Sequence, residues 1–347
     1  MVDFDPNGVG KNGSLFGLPY SADEADIVIL PVPWDVTVSY TSGTAKGPNA
    51  ILTASPQIDY SIPGIKDPWR LGIHMLSVSD LIKLKSGQLR TESREYIEWL
   101  ENNEGNDPIY FEQIRKKVNH ASEELNAFVK TQAKNYLNKG KIVATLGGDH
   151  STPLGLIEAL SEVNDNFGIL QIDAHMDLRE AYEGFEFSHA SIMYNSLKYN
   201  NITKLVQVAI RDFCDAETEL VTSSKERVKV FYDQEIKEGE YTGKNWSAFV
   251  DEIIKNLPQQ VYISFDIDGL NPVLCPETGT PVPGGLSYNQ ATYLIKKVAQ
   301  SGRKIIGFDL SEVAPDDNEW NANVGARMLY QLCVYCGVSQ GRLSFNK

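Results

Sequence analysis

Three short runs hold the residues best suited to chemistry in this 347-residue chain. The first is Leu146-Gly147-Gly148-Asp149-His150-Ser151. The second is Asp173-Ala174-His175-Met176-Asp177, and the third is Ser264-Phe265-Asp266-Ile267-Asp268-Gly269. A fourth run adds Asp309 and Glu312. In extended backbone, residues two apart share a face, which aims Asp173, His175 and Asp177 at one point and pairs Asp266 with Asp268. With His150 they form a set of two imidazoles and four carboxylates. Four carboxylates packed without a cation would repel one another and raise their pKa values. Mixed imidazole and carboxylate donors suit manganese, nickel, iron or zinc. Six are too many for one tetrahedral zinc. They fit two ions, roughly 3.5–4 Å apart, that share carboxylates; a water between such ions ionises near neutral pH and supplies a hydroxide nucleophile. A single aspartate after a strand is commonly a helix cap. Here, however, two of the chain's five histidines fall inside the same motifs.

Each run follows a short apolar segment that reads as a buried parallel strand. The predicted strands are Asp26 to Val32, Lys141 to Leu146, Gly168 to Ile172, Leu205 to Ile210, Val228 to Tyr232, Gln260 to Phe265 and Lys304 to Leu310. Helical patterns alternate with them. Phe111 to Asn138 is the longest, with Val118, Leu125, Phe128 and Val129 on one side; Pro153 to Glu162, Ser188 to Leu197, Trp246 to Asn256, Ser287 to Gln300 and Trp320 to Gly337 follow. Strand alternating with helix implies an α/β fold with a mostly parallel sheet covered on both faces. Ligands of such sheets bind beyond the carboxyl ends of the strands, where all four runs lie. Gly147 and Gly148 allow a tight turn there. The segment Leu84 to Asp107 is polar, acidic and poorly periodic, and reads as a surface insertion. Nothing else suggests a boundary, so residues 1–347 are expected to form one domain.

The net charge of −14 excludes a nucleic-acid binder and docking on an anionic membrane. It suits metal-binding carboxylates and cationic substrates, although solubility alone explains it equally well. Residues 1–12 lack a signal-peptide pattern, and no stretch reaches the ~18 apolar residues of a membrane span. Four irregularly spaced cysteines are no disulfide framework, and the expected compartment is cytoplasmic. Gly8-Val9-Gly10-Lys11-Asn12-Gly13 fits a dinucleotide fingerprint by letters but lacks its strand and helix. Cys333 and Cys336 lie in an apolar helical stretch and read as core packing. His74 and His120 match no motif.

The three runs, in this order, resemble the signature motifs of the ureohydrolases, the family of arginases, agmatinases, guanidinobutyrases and formiminoglutamases. The resemblance extends from about Ile27 to about Cys336. It implies a three-layer α/β/α sandwich, and it implies that His150, Asp173, His175, Asp177, Asp266 and Asp268 bind two metals, usually Mn2+, with Ni2+ as an alternative. His189, in Phe187-Ser188-His189-Ala190-Ser191, matches the family's histidine proton shuttle. Glu312, in Ser311-Glu312-Val313-Ala314-Pro315, matches the glutamate that binds the guanidinium, and Asp149 matches a supporting residue beside the metals. Asn271-Pro272 stands where the family's third motif usually continues to Asp-Pro, a change at a position that is no metal ligand. Trimers or hexamers are implied as well.

The activity so implied is hydrolysis of a small guanidino compound to urea and an amine. Thr278-Gly279-Thr280-Pro281-Val282-Pro283-Gly284-Gly285 and Asp177-Leu178-Arg179 are similar to the agmatinase branch. Arginases carry an asparagine where this chain has Arg179, which disfavours arginine. The segment Pro33 to Tyr40 with Gly43 to Pro48 also resembles guanidine hydrolases, so guanidine and guanidino acids such as 4-guanidinobutyrate remain alternatives. Outside the family stand a single-zinc deacetylase, which would not need His150, Asp177 and Asp268, and a non-catalytic metal-binding protein. Agmatine is expected first. The loop with Asp316, Asp317 and Glu319 would attract its cationic tail, whereas Arg179 would oppose it, and closure by Trp34 or Trp320 would instead select free guanidine.

Overall fold

A computed structural model describes residues 4–102 and 108–346. Eight strands, β1 (Ile27–Val32), β2 (Ile73–Met75), β3 (Ile142–Gly147), β4 (Phe167–Ile172), β5 (Ile202–Ile210), β6 (Val228–Tyr232), β7 (Gln260–Asp266) and β8 (Lys304–Ser311), form one sheet in the order β2-β1-β3-β8-β7-β4-β5-β6. Every pairing is parallel. The two-residue period of the strands divides the core. On β1, Ile27 and Ile29 join one apolar cluster, and Val28 and Leu30 join the other. Among the described residues the one strand missed in the sequence is β2, whose three residues sit at the sheet edge and are too few to set a pattern.

Among the described residues ten helices cover both faces: α1 (Gly47–Ala54), α2 (Asp80–Asn102), α3 (Pro108–Leu137), α4 (Leu154–Ser161), α5 (Ile192–Ser196), α6 (Asp215–Ser223), α7 (Asp233–Tyr241), α8 (Trp246–Lys255), α9 (Tyr288–Gln300) and α10 (Trp320–Ser339). Residues of α1, α8, α9 and α10 pack in the first cluster, and those of α2 to α5 in the second, giving the α/β/α sandwich. Phe128 is 45% exposed and does not belong to the buried side of α3. Ser188 to Leu197 is a 3-10 turn at His189–Ser191 followed by the short α5. Among the described residues no helix is long and apolar enough to cross a membrane.

The segment read as a surface insertion is mostly the 23-residue helix α2; its last residues, 103–107, lie outside the described part. Its buried residues are Ile82, Ser86, Leu89, Ser93, Tyr96 and Ile97. That spacing is helical, but serines occupy two places where an apolar stripe would be sought. The reason for those serines lies in what they touch, the loop that follows β1.

Candidate metal centre and cleft

The four strands that end in the sequence motifs, β3, β8, β7 and β4, are neighbours in the middle of the sheet. Their carboxyl ends therefore bring all four motifs to one place. Neither Gly147 nor Gly148 has a positive φ, so turn conformation is not what requires glycine there. Close approach is: a Cβ on Gly148 would lie 1.8 Å from the Trp34 carbonyl oxygen. The chain crosses tightly enough that Gly148 N–H reaches Val32 O and Asp149 N–H reaches Trp34 O.

The convergence of Asp173, His175 and Asp177 is real but does not arise from strand alternation. β4 stops at Ile172, and Asp177 sits at φ 55°, a left-handed conformation that is strained for a residue with a Cβ. Likewise Asp268 lies in the 3-10 turn Ile267–Gly269, and its N–H donates to Asp266 Oδ1 at 2.9 Å. Turns beyond the strands do the aiming.

His150 Nδ1 faces three carboxylate oxygens, from Asp177 at 2.9 Å, Asp173 at 3.0 Å and Asp266 at 3.3 Å. His175 Nδ1 lies 3.1 Å from Asp268 and 3.6 Å from the other oxygen of Asp173. Two groups, His150 with Asp173 and Asp266, and Asp173 with His175 and Asp268, can each hold a metal ion, and Asp173 belongs to both. Three of the aspartates are built alike. Asp173, Asp266 and Asp268 each accept a main-chain N–H on one oxygen, from His175, Asp268 and Ala174 respectively, and turn the other oxygen to a histidine.

Behind this shell, Asp309 of the fourth run is joined by residues that were not singled out in the sequence. Tyr262 and Ser264 both donate to Asp309 Oδ2 at 2.8 Å. The single proton of Ser264 is thus committed, and its oxygen accepts Nε2–H of His150 at 2.9 Å. In the neutral ring this leaves Nδ1 as a bare lone pair facing three carboxylates, an arrangement that demands a cation. The same demand appears as a proton affinity. Burial opposes charge on His150, yet the surrounding carboxylates push its pKa well above the usual imidazole value. Burial and Asp173 push Asp177 up to about 7, and burial and Asp268 push Asp266 well above the carboxylate range. Gln171, itself held by Gln207, donates to Asp173 at 2.7 Å. These supporting residues alternate on β4, β5 and β7 and were legible only as strand polarity. The donor set fits a pair of divalent ions.

Glu312 is 4% exposed and sits at φ 63°. Its Oε1 accepts His150 N–H at 2.9 Å, whereas Oε2 is buried without a partner. Burial and the neighbouring Asp149 push its pKa well up. Asp149 accepts both N–H and Oγ–H of Ser151 on Oδ1 and leaves Oδ2 unpartnered; burial pushes it up to about 7. His189 begins the 3-10 turn before α5, with Nδ1 unpartnered. Burial and the adjacent His175 and His150 hold it down to about 3, a neutral ring at physiological pH.

His175, Asp177 and His189 line a cleft of about 140 Å³ together with residues that include Ser39, Arg179 and Tyr182. Arg179 does face it, with its guanidinium 4.8 Å above the Tyr182 ring. The acidic loop expected at its rim does not reach it. Asp316 and Glu319 line a separate depression with Lys46, because Pro315 leads the chain away from the end of β8 toward α10. Asp212 and Glu217 line the cleft instead, the exposed Asp212 through its carboxylate and the buried Glu217 with its two oxygens accepting Leu178 and Cys214 N–H. Neither tryptophan closes it: Trp34 is buried in the core, and the indole N–H of the exposed Trp320 bonds Val273 O. The remaining histidines are elsewhere. His74 bonds Tyr20 O, and His120 lies on the exposed side of α3 beside Glu123 and Glu124. Cys333 and Cys336 are buried in α10.

Comparison with known proteins bears on the fold and the family. Over 94% of both chains, the protein is 32% identical to an N(1)-aminopropylagmatine ureohydrolase of Thermus thermophilus. It is 28% identical to an agmatinase of Neisseria meningitidis, covering 93% of this chain and 91% of that one. The fold is that of the agmatine ureohydrolase of Thermoplasma volcanium, with TM-score 0.71, 22% identity and 98% and 97% of the two chains covered. An arginase of Bacillus subtilis superposes with TM-score 0.62 at 20% identity, over 89% of this chain and 98% of its own. The model of the Arginase family matches residues 25–334, and the chain belongs to that family.

Proposed function

We propose that the protein is a binuclear-metal ureohydrolase that cleaves agmatine or a closely related guanidino compound to urea and an amine. The observation that carries this is the shared Asp173, whose two oxygens face two different histidines, one of which, His175, lines the cleft. His150, Asp173, Asp177 and Asp266 would hold one ion, and Asp173, His175 and Asp268 the other, with Mn2+ favoured and Ni2+ an alternative. Such a pair supplies a hydroxide at neutral pH and neutralises developing negative charge.

The protein's own groups do the rest. Glu312 receives the guanidinium through its unpartnered Oε2, and a charge-assisted bond restores the ionised form that burial opposes. Asp149 supports the turn that carries His150. His189 is neutral, so it first takes a proton at Nδ1 from the attacking water and then gives it to the departing nitrogen. The C–N bond to the amine breaks as that proton arrives, and the proton left on the hydroxyl of the carbon fragment passes to the free amine, giving urea and an ammonium. Asp212 and Glu217 at the cleft favour a cationic tail, against the single charge of Arg179. Residues 1–347 acting as one domain, a trimeric or hexameric assembly and a cytoplasmic location complete the reading.

Urea release by the manganese- or nickel-loaded protein from agmatine, N(1)-aminopropylagmatine, 4-guanidinobutyrate, arginine and guanidine tests it. One of the two agmatine compounds should lead. Release from guanidine alone would replace the tail-reading cleft with steric exclusion, and no release from any would remove the activity.

A further inference from the structure

The loop between β1 and α1 supplies Ser39 to the cleft and packs its Trp34 carbonyl against the turn that carries His150. It has little regular structure, and its Val36 and Val38 side chains are buried. Buried carbonyls need donors, and helix α2 provides them. Arg90 Nη1 donates to Val38 O at 2.5 Å and to Val36 O at 3.4 Å. Ser93 Oγ donates to Val36 O at 2.5 Å, and Ser86 Oγ accepts Asp35 N–H at 3.3 Å. Asp35 in turn gathers Gly43 N–H and Ala45 N–H on one oxygen, closing the loop.

The opposite lip is held by the same helix pair. Tyr96 of α2 packs 5.3 Å from Phe185. From α3, Arg115 and Asn119 donate to Gly184 O at 3.3 and 3.1 Å, and Asn119 accepts Glu186 N–H at 3.0 Å. Tyr182 and His189, which flank this tie, line the cleft.

We propose that Arg90 is a positioning residue of the cleft: from α2 it fixes the loop of residues 34–43, and with it Ser39, while the α2–α3 pair clamps the facing lip. Arg90 is the single side chain of α2 that reaches both Val36 and Val38. Both bonds leave one nitrogen, Nη1, whose two hydrogens are held in the rigid guanidinium plane, whereas a lysine ammonium on its flexible stem does not fix those directions. The segment that looks like an insertion is then a determinant of substrate fit. This rests on the cleft being the substrate site proposed above.

The full-length, metal-loaded protein is compared with Arg90→Met, Arg90→Lys and the milder Ser93→Ala, by steady-state kinetics on agmatine and by amide hydrogen exchange. Arg90→Met should raise KM by about 10-fold while kcat stays within about 3-fold, because misplacement of a binding wall acts on fit before chemistry. Arg90→Lys should recover part of the KM loss, and Ser93→Ala should give a smaller change of the same kind. Exchange at Gly43 and Ala45 should quicken, with β3 unchanged. Three results overturn the proposal: KM and loop exchange as in the wild type, loop exchange quickened without any change in KM, or exchange quickened equally in β3. Should the wild type release no urea from any guanidino compound, the proposed activity fails. Exchange at Gly43 and Ala45 then still decides whether Arg90 holds the loop.

Discussion

In the buried centre that meets the cleft at His175 and Asp177, His150, Asp173 and Asp266 leave the ends of central strands, and main-chain N–H groups hold one oxygen of each aspartate. At the mouth of the cleft, Ser39, Arg179 and Tyr182 come from loops held by side chains of distant helices. The centre is fixed by the sheet itself, and the mouth by what packs over it. A substitution in the centre should therefore act through metal binding. One at the mouth or in the loop of His189 should leave the metals in place and act on kcat or KM.

The sharpest separation concerns His189. His189→Ala should keep both metals and lose about 10²–10⁴-fold in kcat, the range of a positioned acid–base group. Metal content by elemental analysis alongside kcat decides this; full turnover in the metal-replete variant would end the shuttle role. Next is Ser264, which transmits the Asp309 carboxylate to His150. Ser264→Ala should weaken metal affinity by about 10–100-fold, as removal of an outer-shell partner does. If metal titration gives an unchanged affinity and kcat falls instead, the division between centre and mouth is broken.

Asp212 is a test of the mouth. Its carboxylate is 66% exposed and lies 3.8 Å from His175 Nε2. Asp212→Asn should raise KM for agmatine by about 3-fold at low salt and by less at high salt, since exposed charges are screened. Equal KM ratios at both salt concentrations would deny it a steering role. The smallest effect belongs to Glu183, in the same loop as Tyr182. Burial, with Glu101 adding to it, pushes its carboxyl from 4.5 to about 7. Between those values the folded state binds more protons than the unfolded state, so stability is lost as pH rises through that window. Glu183→Gln removes the loss and should raise Tm by about 1–2 °C more at pH 8 than at pH 5. A shift independent of pH would show that the carboxyl is not held in its neutral form.

The same contrast explains what was legible in the sequence. Seven strands and the six candidate metal ligands could be read because a buried parallel strand is a continuous apolar run and its acids stand at its end, whereas the roles expected of His189, Glu312 and Asp149 came only from the family resemblance. Their convergence was readable from sheet topology, although the aiming is done by left-handed Asp177 and the turn at Asp268 rather than by alternation. Helix α2 could not be read, because Ser86 and Ser93 break its apolar stripe to bond a loop some fifty residues away. Asp316 and Glu319 were misplaced for a similar reason. Charge in a loop carries no direction, and Pro315 turns that loop toward Lys46.

The shared position of Asp173 is tested most directly by loading the metal-free protein with Mn2+ and counting bound ions per chain by elemental analysis, for the wild type and for Asp173→Asn. The wild type should approach two equivalents, and the variant should lose affinity at both positions. Saturation of the wild type at one equivalent, or a variant that loses one ion and holds the other at unchanged affinity, would contradict a centre built on one carboxylate between two histidines.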